Sequence, residues 1–163
     1  MTRLAEDPGQ VATSWRSDAS LAYAILRLTF GVNIGLRGLT RIINGTDVFA
    51  ADLMKQFQAP VIPIPGVELF GHVLPWVEAA IGLLLITGFQ TRPALIAGGL
   101  MMTVLMTGIM SIQNFQTAWL QLTYAVVFFI LLACRSWNLI SLDAWMARRR
   151  VGARHAPASR MRA

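Results

Sequence analysis

Apolar residues fall along the chain in four long blocks joined by short polar links. The blocks run from about residue 19 to 43, 67 to 89, 93 to 112 and 119 to 134. At roughly 20 residues per span, four such helices with their loops and tails account for a chain of 163 residues. The first link has a different pattern. Phe49, Leu53, Met54 and Phe57 recur at helical spacing, with Asp47, Asp52 and Lys55 elsewhere on the wheel. That predicts a short amphipathic helix over 47–58, lying on the membrane or capping the bundle. Pro60, Pro63 and Pro65 then predict an extended lead into the second span. Beyond Cys134, the residues Trp137, Leu139, Leu142, Trp145 and Met146 predict an interfacial helix with a basic end.

The fold class that follows is an all-α membrane protein. It is a four-transmembrane-helix bundle with an amphipathic helix in the first outer loop and a C-terminal interfacial helix. Residues 1–18 read as a disordered cytoplasmic tail, 19–146 as the transmembrane domain and 147–163 as a basic cytoplasmic tail. Asp18 or Ser20 is the expected first N-cap. Pro75 is expected to kink the second span, and Pro93 suits the first position of the third. The first apolar run is long enough to span, so no signal-peptide cleavage is expected.

Composition sharpens this. Hydrophobic residues make up 55% of the chain and charged residues only 13%, against about 25% charged in soluble domains. The mean hydropathy is +0.55. The net charge of +6 comes largely from the C-terminal tail. It reads as a signal for topology and for membrane lipids, with no nucleic-acid partner. With four spans both ends share a side, and that side with the 89–92 link carries ten of the fourteen basic residues. The positive-inside rule puts both termini in the cytoplasm and the long first loop outside. Cys134 is the single cysteine, which excludes an internal disulfide and a CxxC redox pair. No cluster of His, Cys and carboxylates has metal-ligand spacing, and no haem or flavin site is evident.

The candidate chemistry is carried by charges inside the apolar blocks. Glu78 sits in the middle of the second, where a carboxylate costs roughly 2.5–3.5 kcal/mol on insertion scales. It is expected to face the bundle interior and either pair with a cation or act in proton transfer. Arg27 lies on the same face of the first span as Gly31 and Gly35, a small-xxx-small pair suited to close helix contact. Its backbone is expected to differ from that of Glu78 by roughly 5–8 Å in depth at 1.5 Å rise per residue. Arg37 approaches from the other side, so either arginine is a candidate partner. Glu68 and His72 lie near the outer mouth with Arg37 and Arg41. Met102, Met106 and Met110 form a stripe that reads as packing or as an adaptable wall for a hydrophobic ligand. Together these suggest an outward-opening polar pocket for a quinone headgroup or a small anion. Glu78 and His72 are the candidate proton-transfer residues, and Arg27, Arg37, Arg41 and Glu68 the candidate ligand-binding ones.

The order of these features resembles the DoxX family of small four-helix membrane proteins. The resemblance rests on Arg27, Gly31 and Gly35, on the Pro-containing loop leading to Glu78 and Gly82, on the Leu-Leu-Leu-Ile-Thr-Gly run ending at Gly88, and on Ser141-Leu142-Asp143. It extends from about Leu21 to Asp143. The family includes the membrane subunit of thiosulfate:quinone oxidoreductase. The resemblance therefore implies a quinone-linked subunit of an oxidoreductase acting on a small reduced sulfur compound, with quinone as ligand and a partner oxidoreductase subunit as electron source. The alternative is a non-catalytic membrane scaffold or hydrophobic-ligand binder that recruits partner proteins. Whether the chain is an enzyme subunit, and whether it forms a homo-oligomer, stays open at this level.

Overall fold

A computed structural model describes residues 17–57 and 63–154. Residues 1–16 of the expected N-terminal tail, Pro60, and the C-terminal residues from 155 onward lie outside them, whereas Ser17 and Asp18, expected in that tail, begin the first helix. Among the described residues all regular structure is helical. Helices α1 (Asp18–Ile43), α3 (Ile64–Thr87), α4 (Thr91–Ser111) and α5 (Phe115–Ala133) are long and apolar enough to cross a membrane. Helix α2 (Thr46–Gln56) is the amphipathic segment of the first link. A short 3-10 turn (Arg135–Trp137) leads to α6 (Leu142–Arg154).

The element types follow the apolar pattern, while several boundaries differ for local reasons. The N-cap of α1 is Ser17, not Asp18 or Ser20. Its extended backbone lets the hydroxyl accept the Ser20 amide at 3.3 Å. Helix α3 begins three residues earlier than expected. Pro63 is its N-cap and Pro65 lies in its first turn, where a missing N–H costs nothing. The helix continues through Pro75 and stops at Gly88, whose φ of 66° is the left-handed C-terminal geometry. Helix α4 starts at Thr91, so Pro93 occupies its third position and not its first. Helix α5 starts four residues early because the Asn114 side chain accepts the Thr117 amide at 3.1 Å.

Two seams hold the bundle. In the first, α1 and α3 run antiparallel with their backbones almost touching. A Cβ at Gly82 would collide with Gly35, and one at Gly38 would lie 2.5 Å from both the Ala79 nitrogen and the Pro75 carbonyl oxygen. In the second, α4 packs on α5, with Gly98 giving way to the Phe128 ring. Phe30, Ile34, Leu74, Leu85, Leu95, Met102 and Leu131 meet between the seams as the core. Helix α2 lies back against α3, its Ala50 Cα only 2.7 Å from where a Gly71 Cβ would stand.

Candidate functional site

The glycine seam sets the register that decides where every charge goes. Gly31 packs at Leu85 and Ile86, Gly35 at Gly82, and Gly38 at Ala79. Continued in both directions, this register places Arg41 beside Glu78 and Arg27 beside Gly88. Arg27 is thus roughly three helical turns from Glu78, not the small offset expected from the sequence. It is therefore not the partner of Glu78. The expectation failed because it took the ends of the two spans as level, whereas the glycine register staggers them: the end of α3 at Gly88 lies beside Arg27, nine residues after the start of α1.

Arg27 instead closes one end of the bundle. It is 4% exposed. Its Nη1 donates to the Leu85 carbonyl at 2.5 Å and its Nη2 to the Ile140 carbonyl at 2.9 Å. Leu85 lies in the last turn of α3, where carbonyls lack intrahelical partners, so the arginine completes that helix end. The same end is tied by Asp143. Its carboxylate accepts the Gln90 and Thr91 amides, both at 2.8 Å. Its own amide donates to the Gly88 carbonyl at 3.1 Å. Asp143 therefore caps α4 from a distant part of the chain, while Ser141 accepts the Ala144 amide to start α6. The Ser-Leu-Asp triplet thus has a mechanical role. Arg27, Gly88, Ser141 and Asp143 form a clasp.

The opposite end is open. Glu78 has a side chain only 1% exposed, and Arg41 Nη1 donates to its Oε2 at 2.5 Å. Arg37 Nη1 stands 4.0 Å from Oε1. Arg37 also donates from Nη2 to the Tyr124 hydroxyl at 2.6 Å, and that hydroxyl donates to Asn33 Oδ1 at 2.9 Å. The Arg41 guanidinium lies over the Phe49 ring of α2, 4.1 Å from its centroid. Glu78, Arg37, Arg41, Phe49 and Tyr124 line a cleft of about 450 Å³ together with Asp52, Leu74, Leu105, Ile109, Thr117 and Gln121. Beside it runs an apolar slot of about 190 Å³ between α2, α3 and α4, sharing Leu53, Leu105 and Ile109 with the cleft. The cleft holds two cations against one buried carboxylate, with Asp52 at its rim turned to Lys55 at 3.1 Å. Electron-rich oxygen is the complement of such a site.

Glu78, Arg37 and Arg41 thus come together, and the other expected residues do not. His72 faces Asp47 at the start of α2, Nδ1 to Oδ1 3.7 Å. Glu68 is exposed and makes no ion pair among the described residues. Neither lines the cleft. The methionine stripe is not its wall either. Met102 is buried in the core and Met110 is 42% exposed. Leu105 and Ile109 of the same helix line it instead. Sequence reading missed Asn33, Thr117, Gln121 and Tyr124. The signal was available: Thr117, Gln121 and Tyr124 repeat at one-turn intervals along an apolar span, and Asn33 stands one turn from Arg37.

Four apolar spans around a buried glutamate that is clamped by arginines at one end define a multi-pass helical membrane protein with a polar intramembrane cleft. The sequence profile of the DoxX family matches residues 22–112, more than half of the chain. The chain belongs to the DoxX family. The matched region ends at the last residues of α4, short of the Asp143 reached by the resemblance in the sequence. Tyr124, Gln121 and the clasp residue Asp143 therefore lie beyond it. No curated protein and no solved structure matches the chain.

Proposed function

We infer that this DoxX protein is the quinone-linked membrane subunit of an oxidoreductase, with the Glu78 cleft as its quinone site. The observation that carries this reading is the continuity of a polar cleft with an apolar slot. Arg37, Arg41 and Glu78 suit the ring oxygens, and the slot between Leu53, Phe57, Val67 and Leu105 suits the isoprenoid tail. Arg37 and Arg41 would donate to a ring oxygen and offset the negative charge that gathers there on reduction. Glu78 would pass the protons that convert quinone to quinol, two for each electron pair. Those electrons come from a partner subunit that oxidises a small reduced sulfur compound such as thiosulfate. The same reading puts both termini in the cytoplasm, because the clasp end carries Arg92, Arg135 and Arg148 to Arg150.

Arg37→Ala and Glu78→Gln are each expected to lower quinone binding or quinone-dependent turnover about tenfold, the scale of one lost charged hydrogen bond. The comparison uses membranes with matched protein levels. The competing reading is a scaffold or hydrophobic-ligand binder. It is favoured by the mutual satisfaction of Arg41 with Glu78 and of Arg37 with Tyr124. Full binding and turnover in both variants would put the scaffold in place of the quinone site. Reporter fusions at Asn114 and after Arg150 should report opposite sides of the membrane; agreement between them would discard the four-span topology.

A further inference from the structure

A second cleft lies at the clasp end, about 360 Å³ in volume, between the start of α4 and the turn that follows α5. Arg92 and Arg135 both line it, with Pro93, Ser136 and Asn138. Neither arginine makes an ion pair or a side-chain hydrogen bond among the described residues. The acid beside them, Asp143, is already engaged by the Gln90 and Thr91 amides, and the Asn138 amide group donates to Thr91 Oγ1 at 3.1 Å. Asp143 also lines the cleft but stays on those backbone amides, so the two guanidinium groups have no direct carboxylate partner and the cleft keeps a net positive charge. Guanidinium pairs of this kind complement a phosphate.

The surroundings say which phosphate. One turn beyond Arg92 along α4 stands Ile96, 42% exposed, and one turn before Arg135 on α5 stands Leu132, 36% exposed. Each arginine thus heads an apolar strip that descends the outer face of its span. Trp137 and Trp145 are exposed on the same end, the position of interfacial aromatic anchors. A free phosphate ion has no use for those strips. A diacyl phospholipid uses both, with its phosphodiester between the arginines and its chains along α4 and α5. A choline or ethanolamine headgroup would bring a third cation to two that already lack partners.

We propose that the Arg92–Arg135 cleft is a binding site for one anionic phospholipid, the phosphodiester held by the two guanidinium groups and the acyl chains lying over Ile96 and Leu132. The site is separate from the Glu78 cleft and does not depend on the quinone reading. The ligand sits against the segment that supplies Ile140 to Arg27 and Asp143 to α4, so its binding braces the clasp.

The test is native mass spectrometry of the full chain from micelles holding equal amounts of palmitoyl-oleoyl phosphatidylglycerol and phosphatidylcholine. The wild type should retain one phosphatidylglycerol with a roughly tenfold preference, of the size that two arginines beside an anionic headgroup produce. R92Q/R135Q should lose that preference. R149Q/R150Q, which removes the same charge outside the cleft, should keep it, and its folding serves as the control for the first variant. Equal loss in both double variants would reduce the effect to general surface charge and overturn the site. Displacement of the lipid by millimolar sn-glycerol 3-phosphate would overturn the lipid assignment, because it would mean that the acyl strips contribute nothing.

Discussion

Arg27 and Arg41 belong to the same helix, face the same neighbour and are both drawn from the lipid, yet they do opposite things. Arg27 is enclosed, and its hydrogen bonds go to backbone carbonyls that no substitution can remove. Arg41 is 27% exposed on its side chain, pairs with a carboxylate, and rests on an aromatic ring borrowed from α2. The first arrangement ends a helix. The second leaves a pair of opposite charges at the wall of an open cleft, where a ligand can compete for either. An intramembrane charge is thus diagnostic only once its partner is known: backbone partners mark architecture, and ionisable partners beside a cavity mark chemistry.

That contrast predicts a hierarchy of losses. The largest belongs to Arg27→Gln, which strands the Leu85 and Ile140 carbonyls and should destabilise by about 2–5 kcal/mol, from about 1–3 kcal/mol for each buried acceptor left without its donor. Unfolding in mixed micelles of rising SDS fraction measures it; a loss no bigger than that of Arg41→Gln would erase the distinction between the two ends. Next is the coupling of Arg41 with Glu78, expected at about 1–3 kcal/mol in a double-mutant cycle. The Arg27–Glu78 cycle should give less than about 0.5 kcal/mol, since the groups share no partner. Coupling of the second pair above the first would contradict the glycine register. Asp143→Ala should cost about 1–2 kcal/mol as a lost N-cap, with faster hydrogen exchange at the Gln90 and Thr91 amides; unchanged exchange there would remove Asp143 from the clasp. The smallest effects are those of His72→Ala and Glu68→Ala. Each should stay within about 0.5 kcal/mol, as exposed positions with weak or absent pairing do, and leave the proposed quinone binding unchanged. A marked binding loss in either would restore them to the cleft.

The sequence discloses the spans well, because four apolar runs, each long enough to cross a bilayer, would have nowhere to hide in a water-soluble chain of this length. It also discloses the importance of Glu78, since its cost demands a partner. It does not disclose which partner. That depends on a helix register fixed by Gly38 meeting Pro75 and Ala79, a contact between residues far apart in the chain. One boundary error shares this origin. Helix α4 starts at Thr91 because Asp143 reaches back to cap it, and no local rule near Pro93 contains that information. The α5 wall of the cleft was missed for a different reason. Tyr124 and Gln121 are uncharged, and attention to charge alone passes over a polar stripe that the one-turn spacing makes visible.

The reach of Asp143 has a consequence for how the chain is made. When the fourth span has just left the ribosome, every membrane-crossing residue is already in place, and the seam between α1 and α3 can zip. The Gln90 and Thr91 amides are still bare, however, and Arg27 holds only one of its two carbonyls. Those valences close only when Ile140 and Asp143 arrive. The segment that follows the fourth span is therefore the one that certifies the bundle as finished. A product truncated after Cys134 would insert with all four spans and still present an unfinished face to the proteases that patrol the membrane.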